Sequence, residues 1–435
     1  MTKQVLTQTK HPSSKEGFAL RDYQVDNASA LVEMLHKRKI VAFVGEVRTG
    51  KTLTALEAAK ILGCKKVLFL TKKKAMSSIQ EDYDNLNPGY ELVLINYQSV
   101  HKVNTSGIDM LISDESHGFS SFPKPSLWAK QQRKILSQNL RAYTILLSGT
   151  FSPESYSQVY HQFWISPHSP FKQWASFYKW AHEFVDIKKK RVGHFFVNDY
   201  SHAYEGKIDK FLEGYMLSFT QKQAGFKSKV KEEFHIVPQH IPTLKLIKEL
   251  REHKIVEGTN DTIIADTGAK MQQKCHQMYS GTIKLDSGKR MVLNTVKADY
   301  ICKTFKNQRI AIIYKFVAEL EAIKSVFGDL ITNDLEEFQN SDTLHFAGQV
   351  SSTKEGTNLS MADILVMYNI DFSATSYFQA RARLSTQKRP ETNVHWIFSK
   401  GGLESDIYKV VSEKKDYTLS YFRKYLTSTK KMLSL

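Results

Sequence analysis

The stretch VAFVGEVRTGKTLTALEAAKIL, residues 41–62, contains the run G-E-V-R-T-G-K-T from Gly45 to Thr52. Its spacing is that of a loop that cradles nucleotide phosphates, and the flanking sequence suits it. KIVAFVG is a short apolar run of β-branched and aromatic residues and reads as a buried strand. GKTLTALEAAKIL carries Leu53, Leu56, Ala59, Ile61 and Leu62 at near-helical spacing among good helix formers. The glycines therefore fall at a strand-to-helix turn. There Gly45 and Gly50 let backbone N–H groups point at phosphate oxygens, and Thr49 belongs to the same loop. Lys51 is placed to reach the β- and γ-phosphates and Thr52 to ligate magnesium.

Working outward, apolar runs alternate with helical patterns. RDYQVDNASALVEMLHK reads as a helix, KVLFLT as a strand, and residues 75–84 as a polar helix. ELVLINY, IDMLISDE and AYTILLSG read as further strands, as does RIAIIY after the helical LNTVKADYICKTFK. FVAELEAIKSVFG is helical, and DTLHFAGQV, ADILVMYN and NVHWIFS complete a second strand set. Short β-rich runs separated by helices indicate parallel sheets covered on both faces. The expected organisation is a polar tail over residues 1–16 and an α/β unit over 17–152. A joining insertion, aromatic and basic, follows over 153–289, and a second α/β unit with a C-terminal helix spans 290–435. The dense aromatics of YHQFWISPHSPFKQWASFYKWAHEF favour core over a base-stacking surface. DIKKKRVGHFF and KQAGFKSKVK are basic.

The chain has 435 residues, with 61 Lys and Arg against 44 Asp and Glu, a formal net charge of +17. That charge favours a polyanionic partner, nucleic acid before an anionic membrane. No apolar run approaches the ~20 residues of a membrane span, and the start lacks the apolar segment of a secretory signal. The three cysteines, Cys64, Cys275 and Cys302, are scattered and form no C-x-x-C, which suits a reducing compartment. Cys275 reads as a core thiol despite its neighbour His276, and the other histidines show no metal-ligand spacing such as H-E-x-x-H.

A phosphate cradle needs a carboxylate partner for its metal. MLISDESHG supplies Asp114 at the end of an apolar strand, where ligand sites of parallel sheets collect. Asp114 belongs near magnesium, and Glu115 is positioned to orient and deprotonate an attacking water.

With LLSGT one strand later, the chain resembles superfamily 2 helicases and translocases of the DExH type, nearest to Swi/Snf-like and phage-encoded DNA helicases. The resemblance covers roughly residues 20–149 and 292–413. It implies two RecA-like P-loop domains that use ATP and Mg2+. LRDYQ resembles the Q motif, which gives Arg21 and Gln24 to the nucleotide, with Gln24 on the adenine edge. LTKKKA lies where Thr71 and Lys72 would touch the nucleic-acid backbone, and NYQS where Asn96 would. His117 with Ser148 and Thr150 of SGT would couple hydrolysis to movement. Phe151 stands where the family often has proline. SSTKEGTNLS resembles motif V, with Gly356 and Asn358 toward the nucleotide and Thr353 toward a nucleic-acid phosphate. FQARARLSTQKR resembles motif VI, with Gln379 and Arg383 on one helix face. A second family arginine is replaced by Thr386. The function implied is an ATP-dependent DNA helicase or translocase acting in replication, recombination or branch migration. It would act as a cytoplasmic monomer, in the host cell if phage-encoded, on duplex or branched DNA. An RNA helicase and an ATP-switched nucleic-acid clamp are the alternatives.

Overall fold

Alternate residues of the strand before the phosphate loop enter different cores. Ile40 and Ala42 pack with one cluster of buried residues, and Val41 and Phe43 with another. A strand apolar on both faces must be covered on both faces, and helices flanking a parallel sheet do this. The computed structural model describes residues 18–46, 48–153, 155–192, 195–225, 229–258, 261–353, 359–373, 376–377, 380 and 391–413. The chain divides into two units, Met1–Ala224 and Gly225–Leu435.

In the first unit, α1 (Asp22–Arg38), β1 (Ile40–Gly45), α2 (Lys51–Ile61), β2 (Lys66–Thr71), α3 (Met76–Leu86) and β3 (Glu91–Asn96) succeed one another. β4 (Met110–Ser113), α4 (Leu127–Gln138) and β5 (Tyr143–Ser148) follow. Next come α5 (Gln158–Trp164), α6 (Phe177–Phe184), the hairpin β6 (Lys188–Val192) and β7 (Phe195–Asp199), α7 (Glu205–Leu212) and β8 (Met216–Phe219). The six-stranded sheet has the order β3-β2-β4-β5-β1-β8, and every pairing is parallel. In α1, Gln24, Asn27, Ala28, Leu31, Val32 and Leu35 are buried at the three- and four-residue spacing of one helix face.

The second unit begins with β9 (Lys229–Val237), α8 (Ile241–His253), β10 (Ile255–Glu257), β11 (Thr262–Ile264) and α9 (Gly268–Tyr279). β12 (Thr282–Lys284), β13 (Arg290–Val292), α10 (Val296–Thr304), β14 (Ile310–Tyr314) and α11 (Val317–Phe327) follow. β15 (Ile331–Thr332), α12 (Leu335–Asn340), β16 (His345–Gln349), β17 (Ile364–Met367), β18 (Glu391–Ser399) and the helix Glu404–Ser412 complete it. Its six-stranded sheet runs β15-β16-β14-β17-β18-β9, again parallel throughout. Ala311 and Ile313 of β14 face one core, and Ile310 and Ile312 the other. Each unit is thus a RecA-like α/β domain. A buried ion pair, Lys297 Nζ to Glu404 Oε1 at 2.7 Å, ties α10 to the helix Glu404–Ser412.

Residues 153–289, read in sequence as one joining region, are divided between the units. The aromatic run is core, as its composition indicates. Tyr160, Phe163, Phe171, Phe177, Trp180 and Phe184 are buried in the same cluster as Ile40, Leu68 and Leu146 of the sheet. Each such ring contributes roughly 1.5–3 kcal/mol of burial. β8 then extends the first sheet beside β1, and β9 opens the second beside β18. The expected C-terminal helix lies outside the described residues, as do Gly356, Asn358, Gln379, Arg383 and Thr386. Thr353 ends the short helix Val350–Thr353, and its side chain is likewise outside the description.

Candidate nucleotide-binding site

In a parallel sheet all strands end on one edge. The segments after β1, β2, β4 and β5 of the first unit, which hold nearly all the expected site residues of that unit, therefore converge there. The loop after β1 carries Arg48 at φ +65° and Gly50 at φ +76°, both left-handed. Gly50 is the N-cap of α2. A Cβ on Gly50 would stand 2.1 Å from Gln24 Nε2, and one on Gly45 would stand 2.7 Å from Lys51 Cγ. Gly50 is therefore required by its left-handed backbone as well as by close approach, and Gly45 by close approach alone. Lys51 Nζ donates to the carbonyls of Gly45 (2.8 Å) and Glu46 (3.2 Å), so the ammonium stands over the loop. Thr49 is buried and donates to Glu46 O at 2.8 Å, which closes the turn. Thr52 occupies the first turn of α2.

Gln24 is buried against this loop, although 26 residues separate it from Gly50 in sequence. Its Oε1 accepts from the backbone N–H of Arg21 at 2.9 Å, which places Nε2 at Gly50. The Arg21 guanidinium donates to the Tyr23 hydroxyl at 2.8 Å, and Tyr23 stacks on Phe219 with centroids 5.2 Å apart. The end of β8 and the residues just after it also brace the loop. Glu46 N–H donates to Phe219 O at 2.9 Å, and Gln221 N–H to the Glu46 carboxylate at 2.7 Å. Nothing in the sequence around Phe219 or Gln221 signals this role.

The acidic pair follows β4. Asp114 Oδ2 accepts from the Thr71 hydroxyl at 2.8 Å, and its main-chain carbonyl accepts from Tyr97. Thr71 is fully buried at the end of β2, so it holds Asp114 and does not present itself to a nucleic-acid backbone as its motif suggests. Lys72 is half-buried beside it, before the exposed Lys73 and Lys74. Asn96 caps the short 3-10 helix Tyr97–Lys102 by accepting from Ser99 N–H at 3.1 Å.

Glu115 adopts φ +49°, an uncommon conformation for a residue with a side chain and one that concentrates at functional sites. Its carboxylate lies 3.2 Å from His117 Nδ1, which lies 2.9 Å from Ser148 Oγ. Ser148 Oγ in turn donates to Thr150 O at 2.8 Å and accepts from Thr150 N–H at 3.1 Å. Glu115, His117, Ser148 and Thr150 thus form one polar chain from the end of β4 to the end of β5. Gln162 of α5 adds a second link, unreadable in sequence. It accepts from Ser116 Oγ at 2.7 Å and donates to Phe151 O at 2.6 Å.

A separate surface carries the basic run. In the hairpin β6–β7, Arg191 pairs with Phe196 and Lys190 with Val197. Lys188, Lys189, Lys190 and Arg191 are exposed, and so are Phe195 and Phe196, at 76% and 69%. Pairing and pleat put a cation and an aromatic or aliphatic side chain on each face of this ribbon. Among the described residues no helix is long and apolar enough to cross a membrane.

No protein-family model matches this chain, and no curated protein matches it in sequence. Among solved structures it is similar to the Sulfolobus solfataricus SWI2/SNF2 ATPase core in complex with dsDNA. The identity is 14% and the TM-score 0.41, with 91% of each chain covered.

Proposed function

We propose that this chain is an ATP-dependent motor on DNA, a helicase or translocase that couples ATP hydrolysis to movement along duplex or branched strands. The observation that carries the reading is the convergence of three segments on one edge of the first sheet. These are the glycine cradle with Gln24 seated on it, the Asp114–Glu115 pair, and Ser148–Thr150 joined to Glu115 through His117.

In this reading the backbone N–H groups of the loop and Lys51 bind the phosphates of ATP. Thr52 and Asp114 offer only oxygen donors, which suits a hard cation such as Mg2+, and that ion would neutralise charge on the phosphates. Thr71 fixes the carboxylate of Asp114. Glu115 takes the proton of the attacking water. A change in charge at Glu115 is felt by His117 and passed to Ser148 and Thr150, the route from chemistry to movement. Gly356, Asn358, Gln379 and Arg383 enter through their motif resemblance, Arg383 as the arginine that stabilises the transition state.

DNA is preferred to RNA because the serine–glycine–threonine run resembles that of DNA motors. A net charge of +17 and the cation–aromatic hairpin fit a polyanion with stacked bases. The test is the ATPase rate of the full chain against single-stranded, duplex, forked and four-way DNA, with RNA as the control. Stimulation by duplex or branched DNA supports the reading. Stimulation by RNA alone would replace it with an RNA helicase, and nucleotide binding without turnover would replace it with a clamp.

A further inference from the structure

The second unit gathers three metal-binding side chains that lie far apart in sequence. Glu233 and His235 are two residues apart on β9 and so project from one face. β9 pairs with β18 in the register Glu233↔His395, which brings His395 onto the same face. His235 Nε2 and His395 Nδ1 are 3.0 Å apart, and His395 Nδ1 lies 3.5 Å from Glu233 Oε2. One ligand atom from each of the three lies within 4.8 Å of the others.

The two separations at His395 match a coordination sphere. Ligands 2.0–2.1 Å from a tetrahedral zinc ion stand about 3.3 Å from each other. The two short edges at His395 straddle that value. The outer contacts also favour ligation. His235 Nδ1 is 2.8 Å from the Tyr300 hydroxyl, and a hydrogen bond donated there leaves the lone pair on Nε2, the atom that faces His395. Phe305 packs against both imidazoles, with centroids 5.6 Å and 4.8 Å away. His395 is buried, His235 half-buried and Glu233 exposed, so the cluster opens to solvent on the carboxylate side. There it forms part of a pocket of about 650 Å3, which Lys303 and Lys306 also line.

We propose that Glu233, His235 and His395 form a divalent transition-metal site of the zinc type, with one coordination position open to the pocket. Two imidazoles with one carboxylate suit zinc better than magnesium or calcium, which take oxygen donors. Three protein ligands leave the fourth position to water or to an anion, and the two lysines favour an anion. With no metal bound, one proton bridges His235 Nε2 and His395 Nδ1. Ligation moves that proton to His395 Nε2 or to solvent. Because β9 is the edge strand and β18 its neighbour, the ion clips the edge of the sheet in place. The site is independent of the nucleotide-binding reading.

The test uses the full chain without nucleotide, dialysed against buffered zinc, with bound metal measured by elemental analysis and cobalt substituted for spectroscopy. One zinc per chain and the visible bands of four-coordinate cobalt are expected. Glu233→Gln and His235→Gln should each weaken zinc affinity by at least about a hundredfold, beyond the loss of an outer partner, whereas Tyr300→Phe should cost about tenfold. Free zinc at about a hundred times its dissociation constant should raise the unfolding temperature by roughly 5–10 °C. Glu233→Gln keeps the exposed position polar and serves if either histidine variant fails to fold. Zinc content no higher than in a His235→Gln/His395→Gln double variant would overturn the proposal. So would an affinity unchanged in both Glu233→Gln and His235→Gln.

Discussion

Thr71→Val separates two roles for one residue. The sequence motif gives Thr71 to the nucleic-acid backbone, whereas the fold buries it and points its hydroxyl at Asp114, 2.8 Å away. Valine keeps the volume and branching of threonine, removes the donor, and leaves no new unpaired group at position 71. A hydrogen bond to a charged acceptor contributes about 1.5–3 kcal/mol. Asp114 is only half-buried, so water replaces part of the loss and the lower end of that range applies. About 1.4 kcal/mol is tenfold in an equilibrium constant. If Asp114 holds the magnesium of a bound nucleotide, the Mg2+ concentration for half-maximal ATP hydrolysis should rise about tenfold. DNA affinity, read by fluorescence anisotropy at fixed salt, should stay within about twofold, since a buried group makes no phosphate contact. An unchanged Mg2+ dependence with a tenfold loss of DNA affinity would refute the reasoning and restore the motif's assignment.

Three further outcomes are expected. Arg383→Ala should lower DNA-stimulated ATPase by at least about a hundredfold with little change in ATP binding, the low end of what loss of a transition-state arginine costs; an unaltered rate removes it from the chemistry. Replacing Lys188, Lys189, Lys190 and Arg191 with alanine should weaken DNA binding more than basal ATPase. With roughly 4–6 phosphate contacts, wild-type log K should fall against log salt with a slope of about −4 to −5 on duplex, and a flat salt response would count against a phosphate track. Burial pushes His161 down to about 4 from an ordinary 6.5, with Nδ1 2.7 Å from Ser121 O. Below pH 6.5 the unfolded chain takes up a proton that the folded chain refuses. Stability is therefore full above that pH and falls as pH drops toward 4, by about 3 kcal/mol for this group. Urea unfolding of His161→Gln should show that much less acid sensitivity than the wild type, and equal sensitivity would show that His161 is not the group responsible.

Local, contiguous signals were the legible ones. The phosphate loop, its strand and its helix lie within 22 residues, and the DESH run follows an apolar strand that no other element mimics. The aromatic stretch announced a core because rings of that density have nowhere else to go. The sheet edges were not legible. β8 is only four residues long, and β9 reads KVKEEFHIV, whose lysines and glutamates suit an edge strand and resemble a basic loop. Missing these two strands made 153–289 look like one insertion. The burial of Thr71 is not legible because LTKKKA is dominated by its lysines, and sequence does not show that the threonine is the last buried residue of β2. The two histidines of the Glu233–His235–His395 cluster lie 160 residues apart, and the cluster exists only through the β9–β18 register, which no ligand spacing along the chain can reveal.

The most direct test of the central claim is steady-state ATP hydrolysis by the full chain with and without duplex DNA, with Glu115→Gln and Lys51→Ala alongside. The wild type should hydrolyse ATP and be stimulated by DNA, and Lys51→Ala should be inactive for want of its charge on the phosphates. Glu115→Gln should bind nucleotide normally yet turn over at least about a hundredfold more slowly, the low end of what a general base contributes. Turnover at the wild-type rate in Glu115→Gln would contradict the account.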